Sequence, residues 1–151
     1  MKAAFLFNFS EFVSWPPQAF SSANAPLIIG VLGHDPFGTD LDAMVSGEHV
    51  GPHPLIVRRY HDVSEVGRCH ILFIDRSESA YLPQILQALR GHYILTVSDI
   101  DGSARSGVMI DLVTQSNHIR MRINVAAARA SDLTISSQLL QPAQIVGPGA
   151  S

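Results

Sequence analysis

Leu27-Ile-Ile-Gly-Val-Leu32 is apolar at every position and closes on Gly33. A strand that alternates apolar and polar residues can leave one face in water, but a run without alternation must be covered on both faces. Such strands sit in the middle of parallel sheets that carry helices above and below. The residues that follow fit this arrangement. Gly33-His-Asp-Pro-Phe-Gly38 makes a turn, Thr39 or Asp40 caps a helix carrying Leu41, Met44 and Val45, and Gly47, Gly51, Pro52 and Pro54 mark a return loop. Leu55-Ile-Val-Arg-Arg-Tyr60 then reads as a second strand and completes a βαβ unit. The cycle repeats with a strand at Cys69–Ile74, a helix with Leu82, Ile85, Leu86 and Leu89 on one stripe and Pro83 near its first turn, a stop at Gly91, and a strand at Tyr93–Val97.

Outside this core the pattern changes. Between Lys2 and Trp15, Phe5, Leu6, Phe9, Phe12 and Val13 share one helical arc while Asn8, Ser10, Glu11 and Ser14 share the other, so an amphipathic helix runs up to Pro16 and Pro17. Phe7 falls on the polar arc, as a solitary exposed aromatic or a weak contact residue. Val108–Val113 and His118–Val125 are joined by Thr-Gln-Ser-Asn, and the second alternates Ile119, Met121, Ile123 and Val125 against His118, Arg120, Arg122 and Asn124. That alternation predicts an antiparallel hairpin at a sheet edge. A short helix over 126–130, a brief strand at Leu133–Ile135 and a last helix capped by Ser136 or Ser137 follow, and Gly147–Ser151 reads as a flexible tail. The expectation is one α/β domain over residues 1–146, with a mostly parallel sheet of about six strands, helices on both faces and an antiparallel edge hairpin.

A hydrophobic fraction of 46% in 151 residues is enough for one core without disulfides or metal. Charged residues are 15% and the net charge is −3, so no basic field offers itself to nucleic acid or an anionic membrane. No apolar run approaches the ~20 residues a bilayer requires. Lys2 opens directly into the amphipathic segment, which reads as the absence of a secretory leader. Cys69 is the only cysteine, which excludes an internal disulfide but leaves an intermolecular one open.

Ligands of parallel sheets bind where the loops beyond the carboxyl ends of the strands converge. Three loops qualify here, and they supply Gly33, His34, Asp35, Arg76, Ser77, Ser98 and Asp99 as candidate ligand-binding residues. The alternative is that these residues cap helices and turns. Gly33 and Gly38 have phosphate-loop spacing with Thr39 next, but the lysine is missing and no GxGxxG occurs, which argues against nucleotide hydrolysis. Cys69 and His70 are adjacent in a predicted strand, would face opposite ways and cannot act as a dyad. His49 and His53 flank Gly51-Pro52, which breaks the helical spacing a chelating pair would use. No Gly-x-Ser-x-Gly elbow or other catalytic set can be assembled, so an enzyme is not expected, nor is a cofactor or a metal.

Several segments, in order, resemble the YfiR-like family: Lys2-Ala-Ala-Phe-Leu-Phe-Asn-Phe-Ser-Glu-Phe-Val-Ser-Trp-Pro16, Leu27–Gly33 with Asp35-Pro36, Gly67–Ile74, Leu95–Asp99, Ile119–Asn124 with Ala126–Arg129, and Ile135–Leu140. The resemblance spans Lys2 to about Ala143. It implies an exported, periplasmic α/β domain that binds and restrains a membrane diguanylate cyclase and so lowers cyclic di-GMP. Relatives also serve as extracytoplasmic sensor modules of signalling proteins such as membrane histidine kinases. The chain departs from the family at Ser103–Ile110, where an aromatic and paired glycines are usual, and it lacks the additional cysteines of redox-controlled members.

Two functional expectations follow. The first is a non-catalytic regulator whose edge hairpin, Gly102–Gly107 loop and last helix dock on a signalling partner or on a second copy as a homodimer, with Arg105, Met109, Arg120, Arg122, Leu139 and Leu140 as contacts. Met109, Leu139 and Leu140 are alternatively plain core. The second is a sensor whose small-molecule ligand sits among the three carboxyl-end loops.

Overall fold

The structure is a computed structural model that describes residues 2–146; the tail expected at Gly147–Ser151 lies outside the described residues. In chain order the elements are α1 (Lys2–Phe12), β1 (Val13–Ser14), β2 (Leu27–Leu32), α2 (Asp40–Val45), β3 (His49–Val50), β4 (His53–Tyr60), β5 (Ile71–Ile74), α3 (Leu82–Ala88), β6 (Leu95–Ser98), β7 (Ile110–Gln115), β8 (His118–Asn124), α4 (Val125–Ala130), β9 (Thr134–Ile135), α5 (Ser137–Leu140) and β10 (Gln144–Val146). The main sheet has eight strands in the order β10-β8-β7-β6-β5-β2-β4-β3, and β1 pairs antiparallel with β9 in a second, two-stranded sheet. Strands β4, β2, β5, β6 and β7 run parallel, and β10 is parallel to β8.

Every residue of β2, β5 and β6 is buried. One face, with Leu27, Ile29, Val31, Ile71, Phe73, Leu95 and Val97, packs against Ala3, Leu6 and Phe9 of α1, Leu41 and Val45 of α2, Ala128 of α4 and Leu139 of α5. The opposite face, with Ile28, Leu32, Leu72 and Ile74, packs against Leu82 and Ile85 of α3 and Leu89 just after it. Gly30 lies on this second face for want of space: a Cβ there would stand 2.6 Å from Tyr60 Cε2, 3.0 Å from Cys69 Sγ and 3.1 Å from Leu72 Cδ1.

The sheet exceeds the expected six strands at both margins. Residues taken for a return loop form the hairpin β3–β4, whose turn is Gly51-Pro52 with Gly51 at φ 57°. The chain after α5 adds β10 beside β8 at Arg122–Asn124, so β7–β8 is not the edge itself, and among the described residues only the His118–Met121 half of β8 keeps a free edge. Thr114 and Gln115 belong to β7, and the hairpin turns on Ser116 and Asn117 alone, at φ 50° and 65°. Two successive positive φ values match the right-handed twist of the flanking strands.

The amphipathic helix also differs. It stops at Phe12, because Val13 pairs with Ile135 before the prolines are reached. Its buried stripe is Ala3, Leu6, Phe9 and Ser10. Ser10, placed on the polar arc by the sequence, is sealed in with its hydroxyl donating to the Phe7 carbonyl at 2.5 Å, and Phe7 is half-buried against the core.

Where the chain leaves α1, His70 fastens three segments. Its Nδ1 accepts the Ile28 N–H at 3.0 Å, its Nε2 donates to the Ala19 carbonyl at 2.8 Å, and its own carbonyl accepts Trp15 Nε1–H at 3.0 Å. The Phe20 ring stacks between His53 and His70, at centroid distances of 3.7 and 4.4 Å. Both ring nitrogens are thus committed in the neutral tautomer. Burial, with the nearby His53 and Arg68 adding, holds the His70 pKa below its ordinary 6.5.

Two outcomes follow for stability. Gly30→Ala is expected to cost about 1–3 kcal/mol, as overpacking does, read as a lower urea midpoint; an unchanged midpoint would show that Tyr60 swings clear. A base whose native pKa is depressed gives its full contribution above the unfolded pKa, so the contribution of His70 is complete above pH 6.5 and is lost as the pH falls toward the native value. His70→Asn, which keeps an acceptor for Ile28 but orphans the Ala19 carbonyl, should cost about 1–3 kcal/mol at neutral pH and flatten this acid-side loss. A wild-type-like slope in the variant would assign the pH dependence elsewhere.

Candidate functional site

The carboxyl ends of β2, β5 and β6 lie together, so the three loops named from the sequence do converge. Most of their polar side chains are already occupied. Asp35 accepts Arg59 Nε–H at 2.6 Å and the Phe37 N–H at 2.9 Å, while Arg59 also reaches Asp42 and the Gly38 carbonyl. Hydrogen bonding to Arg59 also holds the Asp42 carboxyl below its usual range. This clamp fixes the Gly33–Gly38 loop against β4. Ser77 Oγ accepts the His34 N–H, and the Ser77 N–H caps on Asp75. Ser98 Oγ donates to the Ile74 carbonyl at 2.7 Å and accepts the Ile100 N–H. Gly33 is required at φ 94°, where a Cβ would meet Ser77 Oγ at 2.7 Å. Gly33, Asp35, Ser77 and Ser98 therefore hold the loops in shape.

What stays open at this end is the exposed ring of His34 and a charged group that the sequence identified only in part. Asp99 is buried, with 5% of its side chain exposed; its Oδ2 accepts Lys2 Nζ at 3.0 Å and Arg76 Nη2 and Nε at 3.3 and 3.4 Å. Its Oδ1 is sealed from solvent and has no hydrogen-bond partner among the described residues. Lys2 went unnoticed in the sequence because it lies 97 positions away on α1. A groove of about 410 Å³ beside Asp99 is lined by Arg76, Ile100, Asp101, Leu112, Val113 and Thr114; another of about 480 Å³, lined by Lys2, Ala3, Phe37, Asp40 and Ile119, shares Thr114 with it.

The candidate docking surface is redrawn by the structure. Met109 and Leu139 are core residues, 6% and 7% exposed, and Leu140 is half-buried against the same core. They are not contact residues on an open face. Arg105 and Arg120 are exposed. Arg122 is largely covered and internally engaged: Nη1 donates to Asp101 at 3.0 Å and Nε lies 4.0 Å from Asp111 Oδ1. Asp111, fully buried, accepts the Ala104 N–H at 3.0 Å, and Asn124 donates to the Ala104 carbonyl and caps α4 through Ala127. Burial raises the Asp111 pKa. These polar groups replace a covering helix: they bind the Ser103–Ser106 turn across the β7–β8 face.

The cysteine-histidine pair is resolved as expected, though both residues precede β5. Cys69 packs in the α3-side core with its thiol pushed up to about 12 by burial, and His70 spends both ring nitrogens on backbone. Among the described residues no cluster of three or more His, Cys, Asp or Glu could hold a metal ion, and no helix is long and apolar enough to cross a membrane.

A doubly covered, mostly parallel sheet with a small separate antiparallel sheet defines a single mixed α/β domain. Residues 1–144 match the family model described as YfiR/HmsC-like, and the chain belongs to that family, one of regulators rather than catalysts. No curated protein matches the chain.

Asp111 supplies a test of this polar layer. An acid with a raised native pKa gives its full contribution below the unfolded value of 3.8 and loses it as the pH rises through the native pKa. Asp111→Asn keeps an acceptor for Ala104 and removes the charge, so its melting temperature should gain on the wild type by a few degrees at pH 7 and converge with it below pH 4. A variant equally destabilised at both pH values would show that the charge is needed for Arg122.

Proposed function

We propose that this domain is an extracytoplasmic regulator that restrains a membrane-bound diguanylate cyclase by docking on its periplasmic part, and so lowers cyclic di-GMP. The observation that carries this reading is the family match over residues 1–144. The arrangement of the β7–β8 hairpin supports it. On its helix-free side the hairpin presents His118 and Arg120 in register with Gln115 and Val113, next to the half of β8 that keeps a free edge. Arg120 is exposed and forms no ion pair among the described residues, so its charge is available to an acidic partner surface. Arg105, on the turn that covers the neighbouring part of this face, is exposed in the same way. Such charges act mainly by steering association and rejecting wrong partners.

The test is capture of the cognate cyclase's periplasmic part by this domain. Arg105→Glu with Arg120→Glu should weaken it about 10-fold or more at low salt, and the wild-type complex should weaken as salt is added. Arg122 is left intact because it braces Asp101 and Asp111 inside the domain. Unchanged capture by the double variant would move the docking surface elsewhere.

A further inference from the structure

We propose that the groove across the carboxyl ends of β5, β6 and β7 is a binding site for a small zwitterion, which sets a primary ammonium on Asp99 and an acid group on Arg76 and Lys2. This site borders the hairpin surface at Val113 but does not depend on the partner proposed above.

The inference begins with the unequal use of one carboxylate. Asp99 is nine-tenths buried, yet both of its cationic neighbours crowd onto Oδ2 and leave Oδ1 without a donor. A buried carboxylate oxygen is seldom left so, since it gives up water and receives nothing in return. The two cations are not equivalent. Lys2 is short at 3.0 Å and 22% exposed, whereas Arg76 is long at 3.3–3.4 Å and 69% exposed, on the 3-10 turn Arg76–Tyr81. Arg76 therefore lies over Asp99 as an exchangeable cover.

Charge selects the ligand class. A simple anion entering the groove meets the Asp99 carboxylate, and a simple cation meets Lys2 and Arg76. A zwitterion avoids both penalties: its acid group draws Arg76 outward, its ammonium takes the place beside Asp99 that Arg76 vacates, and no ion pair is lost without a replacement. The apolar part of the lining, Ile100, Leu112 and Val113 on one side of Thr114 and Phe37 and Ile119 on the other, suits a short hydrocarbon between the two charges; two further carboxylates share the lining, Asp101, which Arg122 engages, and Asp40. The two grooves, about 410 and 480 Å³, are of small-molecule size.

The experiment is a thermal-shift series with unbranched ω-amino acids, from glycine to 6-aminohexanoate, each beside the matching alkylamine and fatty acid. A ligand that binds only the folded state raises the melting temperature. One or more chain lengths should do so, with neither single-charge analogue reproducing the shift, and Arg76→Gln should weaken the response at least 10-fold in ligand concentration. Asp99→Asn should abolish it; since that change also releases Lys2, its folding is checked by circular dichroism, and Arg76→Gln decides alone if it fails. No shift at any chain length, an equal response from the amines or acids, or a wild-type response from Arg76→Gln would overturn the proposal.

Discussion

The architecture depends on one constraint: the central strands have no side that can face water. Leu27–Leu32 contributes apolar atoms to both surfaces of the sheet, so two independent coverings are needed, α1, α2, α4 and α5 on one face and α3 on the other. Each buried apolar side chain contributes roughly 1.5–3 kcal/mol relative to exposure, which makes this double coverage the main source of stability. The same requirement sends the connections from one end of the sheet to the other. Loops then gather at the carboxyl ends of the strands, and the polar groups of the domain are concentrated there.

The two buried carboxylates resolve the cost of burial in different ways. Asp111 sits beneath the Ser103–Ser106 turn with one backbone donor and a distant guanidinium, and burial raises its pKa. Asp99 instead has two cations against one oxygen. The first arrangement ties a turn to the sheet where no helix is available. Both leave one oxygen without a hydrogen bond among the described residues, and the second does so at the end of the sheet where ligands of such folds settle.

Much of this was legible in the sequence, and the reasons are specific. Leu27–Leu32 is too uniformly apolar to be anything but a doubly covered strand, and the stripe of Leu82, Ile85 and Leu89 could only be a helix lying on it. Ser136 was readable as a cap because its hydroxyl acts locally, on the N–H of Gln138. The misses are non-local. Nothing near Val13 announces that it will pair with Ile135, and nothing near Gln144 announces that it will lie beside Arg122. Lys2 and Asp99 belong to one cluster only after the chain has folded. For Met109 and Leu139 the sequence left surface contact and plain core both open, because nothing local shows whether a hairpin or a terminal helix is covered; the two residues complete the core.

The position of the single thiol has a practical consequence. Cys69 is 3% exposed, walled in by Gly30 and Leu72, and its ionisation is suppressed to about 12. Because the thiolate is the reactive species, burial and the raised pKa together slow oxidation and alkylation of Cys69 in the folded molecule and disfavour cross-linking of two intact copies through sulfur. Labelling of this atom proceeds mainly through molecules whose α3-side core has opened. The chain thus carries an internal clock for its own opening, readable by mass without adding a probe.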